Sequence, residues 1–356
     1  MKVYFYRAEC GDAARIYYRG VDGKFHNIFI DSGYERTFNL VLHGEIEKIQ
    51  SRGELIDLWV ISHIHDDHIG GVTAYLEAVK AGSLPDIVQN WFYNPPRITA
   101  VRINSSQHSI AGTLSSIKQG DQLTEYLINN KKVPSVDITD KSPPRNLSGL
   151  TLYFLAPQPV QLRKLRTKYA AGKVRSLERI EPEMPEALRA FDYHIPLEKF
   201  DLKNWKEDES VENGSSISIL MDNKRKKFLW LSDALPGSII KGFKKLGYSK
   251  SNPLVCDWVK VTHHGSRGNN SVALYEMIRC NNYLISADGL NKHCLPTKEC
   301  LARILRNPSR PSDSQYIIRF TYNNKILKKI FDVDGPNVFN RYHFKVSYSS
   351  RKWIRV

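Results

Sequence analysis

Short apolar blocks alternate with polar turns along this chain, and their lengths and spacing predict both strands and helices. The run at residues 58–61 is apolar throughout, a pattern typical of a strand covered on both faces. After Gly71, apolar residues recur at helical spacing and predict a helix, at Val72, Tyr75, Leu76 and Val79. The polar residues in between therefore lie in a turn at the carboxyl end of a strand, where α/β sheets tend to bind ligands.

The rest of the chain shows the same kinds of pattern. Further strands are predicted at residues 2–6, 14–18, 24–31, 87–92, 151–155, 215–221, 227–231, 254–262, 283–287, 316–322, 326–331 and 342–348. Helices are predicted at residues 38–49, 114–128 and 272–278, with a basic helix after Pro159. Proline- and charge-rich stretches at 131–148 and 179–212 indicate a surface connection and an irregular insertion. Together these signals predict an α/β fold.

The turn after the strand at residues 58–61 contains the motif His63-x-His65-x-Asp67-His68. Imidazole nitrogen combined with carboxylate oxygen suits zinc, manganese or iron. His63 and His65 are two residues apart, so they can point the same way from an extended segment and chelate one ion. Asp67 and His68 follow in the turn and can face a second ion. The alternative is a polar loop with ordinary surface histidines, which this spacing after a buried strand disfavours.

Other predicted strand ends also carry side chains of metal-binding type: Asp31, Asp233, His263 with His264, and His293. Asp31 is either a turn residue or a carboxylate that orients the metal-binding loop, and we favour the second. His108 could be a ligand, but a lone histidine among serines is more typical of a solvated loop. His194 is most simply structural. Several such strand ends in one α/β chain are what a dinuclear metal site would need.

Composition adds a preference for anionic partners. The chain has 356 residues, enough for one large α/β domain or two small ones, and a net charge of +15. Such a charge favours nucleic acid or phosphate esters, although general solubility charge is an alternative. The five cysteines form no Cys-x-x-Cys pair, and the sequence shows no apolar signal region or membrane-length run. We therefore expect a reduced, cytoplasmic protein without a membrane partner.

Two basic segments are candidates for phosphate contact. The densest lies in the helix after Pro159, and it contains Arg163, Lys164, Arg166, Lys168, Lys173 and Arg175. It is either a track for a phosphate backbone or a solvated helix face, and the second is the commoner explanation. Near the end of the chain, basic and aromatic residues alternate through the predicted strands after residue 314 and the closing segment 351–355. That pattern suits phosphate contact with base stacking, or equally an edge strand protected by charge.

These motifs resemble those of the metallo-β-lactamase fold hydrolases, which share the His-x-His-x-Asp-His pattern. The surrounding sequence is similar to one branch, the metallo-β-lactamase-like domain of ComEC-type competence DNA-uptake proteins. The matching phrases run in order over roughly residues 1–300: Gly11-Asp12-Ala13, Ile30-Asp31-Ser32-Gly33, Asn213-x-Ser215-Ser216-Ile217, Lys260-x-x-His263-His264-Gly265-Ser266, and Ile285-Ser286 through Asn291 to His293. Their order makes the resemblance more specific than any one motif.

The resemblance implies a four-layer αβ/βα sandwich with a metal site at one edge between two sheets. Residues 1–313 would form the hydrolase domain, with an insertion at about 160–212. Residues 314–356 fall outside the resemblance, and their own pattern predicts a basic C-terminal β extension. Two divalent ions, Zn²⁺ or Mn²⁺, would be bound by His63, His65, Asp67, His68, Asp233, His263 and His264. Asp233 would bridge the ions, and Asp31 would support the ligands from behind.

The chain also departs from the family pattern. Ser232 stands where glycine usually precedes the bridging aspartate, and Cys294 and Leu295 separate His293 from Pro296. A separate ligand histidine found in many lactamase-fold enzymes has no clear counterpart here, and His108 is the only loosely placed candidate. The ComEC-type branch also tends to lack that histidine.

The implied activity is metal-dependent hydrolysis, with a nucleic-acid phosphodiester as the expected substrate. Two ions would activate a bound water near neutral pH, with Asp67 orienting it. His264 or His293 would supply a proton to the leaving group, and Ser266 and Arg267 would contact a phosphate oxygen. Two alternatives stay open: a hydrolase of a small phosphodiester, phosphocholine-type ester or lactone, and a non-catalytic, metal-stabilised subunit of a DNA-processing or defence assembly with protein partners.

Overall fold

In a computed structural model, described for residues 1–97, 113–170, 191–291, 293–311 and 313–356, two β-sheets face each other. The first sheet has the strand order β16-β1-β2-β3-β4-β5. Numbered along the chain, its strands are β1 (Lys2–Tyr6), β2 (Ala14–Arg19), β3 (Phe25–Ile30), β4 (Leu58–Val60), β5 (Trp91–Phe92) and β16 (Trp353–Arg355). Strands β3, β4 and β5 run parallel to one another.

The second sheet has the order β15-β14-β13-β11-β9-β8-β7-β6. Its strands are β6 (Arg145–Leu147), β7 (Leu150–Ala156), β8 (Ser218–Asp222), β9 (Lys227–Trp230), β11 (Trp258–Lys260), β13 (Asn282–Ile285), β14 (Tyr316–Phe320) and β15 (Phe344–Tyr348). From β9 to β15 the neighbouring strands are parallel. A small separate pair is formed by β10 (Leu254–Val255) and β12 (Ile278–Arg279).

Helices occupy the connections. The α-helices are α1 (Glu35–Thr37), α2 (His43–Ser51), α3 (Asp66–Lys80), α4 (Thr113–Asn129), α5 (Pro159–Lys168), α6 (Val211–Gly214), α7 (Pro236–Lys245), α8 (Val272–Tyr275), α9 (Lys298–Leu305), α10 (Lys325–Lys328) and α11 (Val338–Arg341). A π-helical turn, Phe38–Leu42, joins α1 to α2. Five 3₁₀ turns complete the described helical structure: Asp192–His194, Leu197–Lys199, Thr262–Gly265, Arg267–Asn269 and Lys329–Asp334.

Three apolar cores show how the layers stack. One lies between the two sheets, where the rings of Phe5 and Trp230 stack with centroids 5.0 Å apart. A second joins the outer face of the first sheet to α2, α3 and α4, and a third joins the second sheet to α7 and α9. Burying both faces of both sheets requires helices on the two outer sides. The predicted α/β fold is therefore confirmed, with the layers in the order helix, sheet, sheet, helix.

Strand β4 is covered on both faces, which explains why its sequence is apolar throughout. Leu58 and Val60 point into the core between the sheets, whereas Trp59 and Ile61 point into the core beneath the helices. Successive side chains of a strand point to opposite faces, so a strand covered on both sides needs apolar residues at every position. The burial predicted for residues 58–61 is confirmed.

The predicted strand at residues 326–331 is wrong, because this segment is helical. It forms α10 and the following 3₁₀ turn, and the Asn324 side chain accepts the Leu327 N–H at 3.0 Å as a helix N-cap. The buried residues Leu327, Ile330 and Phe331 have the i, i+3, i+4 spacing of a helix face. The predicted long strand at 254–262 is likewise divided into β10 and β11.

The last part of the chain contributes to both sheets. Strand β14 pairs in parallel with β13, and β16 pairs antiparallel with β1. The division of the chain at residue 313 stays a prediction.

Among the described residues, no helix combines the length and apolar character needed to cross a membrane.

Candidate metal centre

The carboxyl ends of parallel strands from both sheets meet at one edge of the sandwich. Asp31 follows β3, the histidine motif follows β4, Asp233 lies three residues after β9, and His263 and His264 lie three and four residues after β11. Strands β3 and β4 belong to the first sheet, and β9 and β11 to the second. The structure therefore brings together side chains up to 233 residues apart in the sequence, here Asp31 and His264.

The histidine motif lies at the start of α3. Residue His65 is the N-cap position, and Asp67 and His68 lie in the first helical turn. The Nε2 atom of His63 is 3.0 Å from Nδ1 of His65, so the two rings point one nitrogen each toward a common position. Gly71 packs against the Ser32 carbonyl so closely that a Cβ atom would clash with it. This contact accounts for a glycine after the motif.

Asp233 lies at the centre of the cluster. Its Oδ2 atom is 3.3 Å from Nε2 of His68, 3.6 Å from Nε2 of His264, 3.7 Å from Nε2 of His263 and 3.9 Å from Nε2 of His63. Four imidazole nitrogens thus surround one carboxylate oxygen. A carboxylate in this position can bridge two cations.

Several atoms of the cluster are buried without a hydrogen-bond partner among the described residues. They are both carboxylate oxygens of Asp233, Nε2 of His68 and Nε2 of His264. Buried polar atoms are nearly always satisfied in native proteins, and an ion is one explanation when they are not. Because nitrogen and oxygen donors of this type suit Zn²⁺ or Mn²⁺, the residues fit such ions.

Two groups of side chains have ligand atoms within 4.8 Å of one another and can hold a cation. One is His63, His68 and Asp233, and the other is Asp67, His68 and His264. A third such group, Asp12, Asp31 and His68, is a poorer candidate. Asp12 is paired with Lys260, and the Asp31 carboxylate accepts hydrogen bonds from Ser62.

Charges within the cluster oppose the effect of burial. Burial and the neighbouring imidazoles lower the pKa of His63 well below its usual range. Burial acts in the same direction at His264, but the carboxylates of Asp233 and Asp12 outweigh it and raise its pKa to about 9. Burial would raise the pKa of Asp233, yet the imidazoles of His68, His263 and His264 hold it well below its usual range. The carboxylates therefore attract positive charge, which bound cations would supply.

Hydrogen bonds behind the rings set which nitrogen faces the cluster. His264 Nδ1 lies 2.9 Å from the Ser286 carbonyl oxygen, and His263 Nδ1 lies 2.7 Å from Oδ1 of Asn269. Both oxygens only accept, so Nδ1 carries a proton, and Nε2 offers a lone pair once the ring is neutral. Asp31 Oδ2 is 3.0 Å from Nδ1 of His68, which orients that ring in the same way.

The backbone at these strand ends is in the left-handed region. The φ angles are 54° at Asp31, 48° at Ser232, 46° at His263 and 53° at His264. Such conformations cost roughly 1–3 kcal/mol each in residues other than glycine and cluster at functional sites. The angle at Ser232 also gives a physical reason for the glycine that the family usually has there.

A buried ion pair behind the cluster was not singled out by the sequence reasoning. Lys260 and Asp12 are fully buried and paired, and Lys260 Nζ lies 3.9 Å from Oδ1 of Asp233. The Ser286 hydroxyl also donates to Asp12. The available signal was a lysine near the end of an otherwise apolar strand, where a charge must have a partner.

The other predicted site residues are more peripheral. Ser266 is half-buried in the turn after His264, and Arg267 is exposed and lies 3.7 Å from Glu299. His293 is also exposed, and no group of possible metal ligands within the described residues includes it. His108 lies outside the described residues.

One comparison with known proteins matches part of the chain to a protein superfamily. A family model described as the metallo-beta-lactamase superfamily matches residues 21–90. This range includes the whole His-x-His-x-Asp-His motif, so the superfamily part of the resemblance is confirmed there. The ComEC-type branch stays a prediction. No curated protein that was compared matches the chain significantly.

Two solved structures are distant matches. The metallo-beta-lactamase fold protein YhfI from Bacillus subtilis has 9% sequence identity and a TM-score of 0.42, with 100% of this chain and 99% of that chain covered. A CmlA beta-hydroxylase mutant has 12% identity and a TM-score of 0.40, with 100% and 53% covered. At these values neither structure indicates a substrate or reaction for this chain.

Proposed function

We propose that this protein is a metal-dependent phosphodiesterase that hydrolyses nucleic acid. The assignment as a metal-dependent hydrolase is supported by the position of Asp233. Its Oδ2 atom is surrounded by four imidazole nitrogens at 3.3–3.9 Å. The net charge of +15 supports a polyanionic substrate.

The metal ligands are proposed to be His63, His65, Asp67, His68, Asp233, His263 and His264. Because Nδ1 of both His263 and His264 is directed at an accepting oxygen, their Nε2 atoms are available as ligands. When bound, a pair of divalent ions polarises a phosphoryl oxygen and lowers the pKa of water. Zn²⁺ and Mn²⁺ are the proposed ions.

Asp67 is placed where it can orient the attacking water. Its side chain is about one-fifth exposed, whereas that of Asp233 is buried, so solvent reaches Asp67. Its Oδ2 atom is 3.4 Å from Nε2 of His264. The neighbouring imidazoles hold the pKa of Asp67 below its usual range although burial opposes this, so the side chain is an acceptor at neutral pH. A carboxylate there can accept a hydrogen bond from water and orient it.

The leaving-group proton needs a donor that is not a metal ligand. His264 fits a ligand better than an acid, because its Nδ1 proton points at the Ser286 carbonyl and away from Asp67. Exposed His293 is therefore the proposed acid, and exposed Arg267 the proposed contact for a phosphate oxygen.

The test compares two adjacent carboxylates on purified full-length protein with Mn²⁺ or Zn²⁺. End-labelled single- and double-stranded DNA and RNA, and bis(4-nitrophenyl) phosphate, are the substrates. Asp67→Asn should lower cleavage by about 100-fold or more, as loss of a group that acts in general base catalysis does. Asp66→Asn is the matched control, because the Asp66 carboxylate is bound by Gln119 and is not in the cluster. Equal cleavage by both variants would exclude the assignment.

A further inference from the structure

A trough with one basic wall, formed by α5, lies beside the proposed metal centre. A cavity of 510 Å³ is lined by Val160, Arg163, Lys164, Thr167, Lys168 and Val211. A second cavity of 410 Å³ shares Lys164 and Val211 with it. The two cavities therefore adjoin, and together they form what we call the α5 trough. Its size is in the range of ligand sites.

The basic wall of the α5 trough has charge available for a ligand. Arg163 and Lys164 are exposed, and neither side chain has a hydrogen bond or ion pair within the part of the chain that the structure describes. Lys168 is already engaged, because its Nζ lies 2.8 Å from the buried carboxylate of Glu212. Arg163 and Lys164 are thus the two cations that a ligand would meet.

The carboxylates of the trough, Glu207, Asp208 and Glu209, all line the second cavity, where the protein itself supplies hydrogen-bond or ion-pair partners. Glu207 accepts the Gly237 N–H at 2.7 Å, and Glu209 lies 3.1 Å from Nζ of Lys206. Asp208 accepts hydrogen bonds from the side-chain amides of Asn213 and Asn269. The first cavity has no carboxylate among the described residues of its lining, so the excess charge on that part of the trough is positive, which favours an anionic ligand there.

The trough is adjacent to the proposed metal centre. Asp208 lines it, and Oδ2 of Asp208 is 3.8 Å from Nδ1 of His263. The same segment is attached to the turn after the histidine pair, because the Asp208 N–H donates to the Gly268 carbonyl at 3.0 Å. The Trp205 Nε1–H also donates to the Arg267 carbonyl at 2.9 Å. One layer of side chains thus separates the trough from the histidines.

We propose that the α5 trough binds the sugar-phosphate backbone of a single nucleic-acid strand, with Arg163 and Lys164 contacting phosphates. This inference rests on the proposed phosphodiesterase function, for which it supplies the surface that holds the polymer. Contacts to phosphates position a strand without reading its sequence. A small ester held by the metal ligands would have no need of Arg163 and Lys164, because Asp208 and Glu212 lie between the trough and the cluster.

The experiment removes the two charges and measures binding by fluorescence anisotropy with a labelled 20-nucleotide DNA strand. Full-length protein carrying Asp67→Asn is used in excess Mn²⁺, so that the strand stays intact. The variant is Arg163→Gln/Lys164→Gln, and the matched control is Lys224→Gln/Arg225→Gln. The control pair is exposed in the turn between β8 and β9, at the end of β9 opposite the cluster.

The trough variant should bind the strand about tenfold more weakly, and the slope of log K against log salt should become shallower by about 1.4 for two lost phosphate contacts. The control should bind within twofold of the parent. Equal affinities of the two variants, or binding of anionic phosphatidylserine vesicles in place of the strand, would overturn the proposal.

A second readout separates this inference from the proposed function. With Asp67 intact, the trough variant should hydrolyse bis(4-nitrophenyl) phosphate at an unchanged kcat/KM, because that ester is too small to need the trough. Hydrolysis of the small ester without strand binding would contradict the proposed role of the trough but not the proposed hydrolase activity. Strand binding through Arg163 and Lys164 without any hydrolysis would contradict the proposed phosphodiesterase activity but not the proposed role of the trough.

Discussion

The Oδ2 atom of Asp31 lies 3.0 Å from Nδ1 of His68, and both side chains are fully buried. Ser62 holds the same carboxylate in place, with its N–H 2.7 Å from Oδ1 and its hydroxyl 2.9 Å from Oδ2. Asp31 therefore fixes the ring of His68 and directs its Nε2 toward Asp233, 3.3 Å away. Since His68 belongs to both groups of possible ligands, this contact supports the whole cluster.

Replacing Asp31 should weaken metal binding although Asp31 is not itself a proposed ligand. Asp31→Asn keeps the shape but removes the charge that orients His68, and losing such a partner typically costs about 10–100-fold in metal affinity. Competition with a chromophoric chelator measures the affinity. Asp57→Asn is a matched control, because Asp57 contacts His26 Nδ1 at 2.7 Å at the other end of the same sheet. An equal loss in both variants would contradict a specific role for Asp31.

The buried pair of Lys260 and Asp12 should make a large, non-additive contribution to stability. Lys260→Met leaves the Asp12 carboxylate without its cation, which should cost about 3–5 kcal/mol in the free energy of unfolding. The double variant Asp12→Asn/Lys260→Met should recover part of that loss, because no unpaired charge remains. Urea denaturation of the two single variants and the double variant measures the coupling. Strictly additive losses would argue against a stabilising pair.

Metal binding should become tighter as the pH rises. The carboxylates around His264, acting against burial, raise its pKa to about 9, so its ring is protonated at neutral pH in the metal-free cluster. A cation must displace that proton, and the affinity should rise about tenfold per pH unit for each proton released. Titrations with Zn²⁺ at pH 6.5, 7.5 and 8.5 test this. An affinity that stays flat over that range would be inconsistent with ligand deprotonation.

Removing bound metal should lower the thermal stability of the protein. An ion that binds the folded chain alone stabilises it by about 2.7 kcal/mol when its free concentration is 100 times the Kd. Dialysis against a chelator should therefore reduce Tm, and added Zn²⁺ or Mn²⁺ should restore it. The Asp233→Ala variant, which lacks the central carboxylate, should show a much smaller response. A response equal to that of the parent would place the bound ion elsewhere.

Asp121 should make stability depend on pH at a site away from the cluster. Burial raises the pKa of its carboxyl to about 6, although the Arg97 guanidinium 3.3 Å away opposes this. The folded state thus holds the proton more tightly than the unfolded chain, so stability is lost as the pH rises through about 4 to 6. Asp121→Asn should gain about 1–2 kcal/mol at pH 7.5 and little at pH 4.

Chemical denaturation at the two pH values measures that difference. Asp137→Asn is the control, because it removes an exposed carboxylate that Arg166 holds at 2.7 Å. It should show no gain that grows with pH. A gain in Asp121→Asn that is the same at pH 4 and pH 7.5 would mean that the carboxyl charge is not the cause.

Local pattern was enough to predict the α/β fold and the order of most elements. The apolar run at residues 58–61, the helical spacing after Gly71 and the His-x-His-x-Asp-His spacing all depend on residues a few positions apart. The same local reasoning failed at 326–331, where branched apolar residues favoured a strand, but the Asn324 cap and the buried face of Leu327, Ile330 and Phe331 belong to a helix.

The sequence alone determined which residue types stand at strand ends, and so which chemistry was available. Only the tertiary structure decided that β3 and β4 meet β9 and β11 at one edge, which places Asp233 among four histidines and Lys260 beside Asp12. It also decided the left-handed backbone that turns His263 and His264 inward. The reason is physical: strand propensity depends on near neighbours, whereas strand order and buried charge pairing depend on contacts between residues hundreds of positions apart.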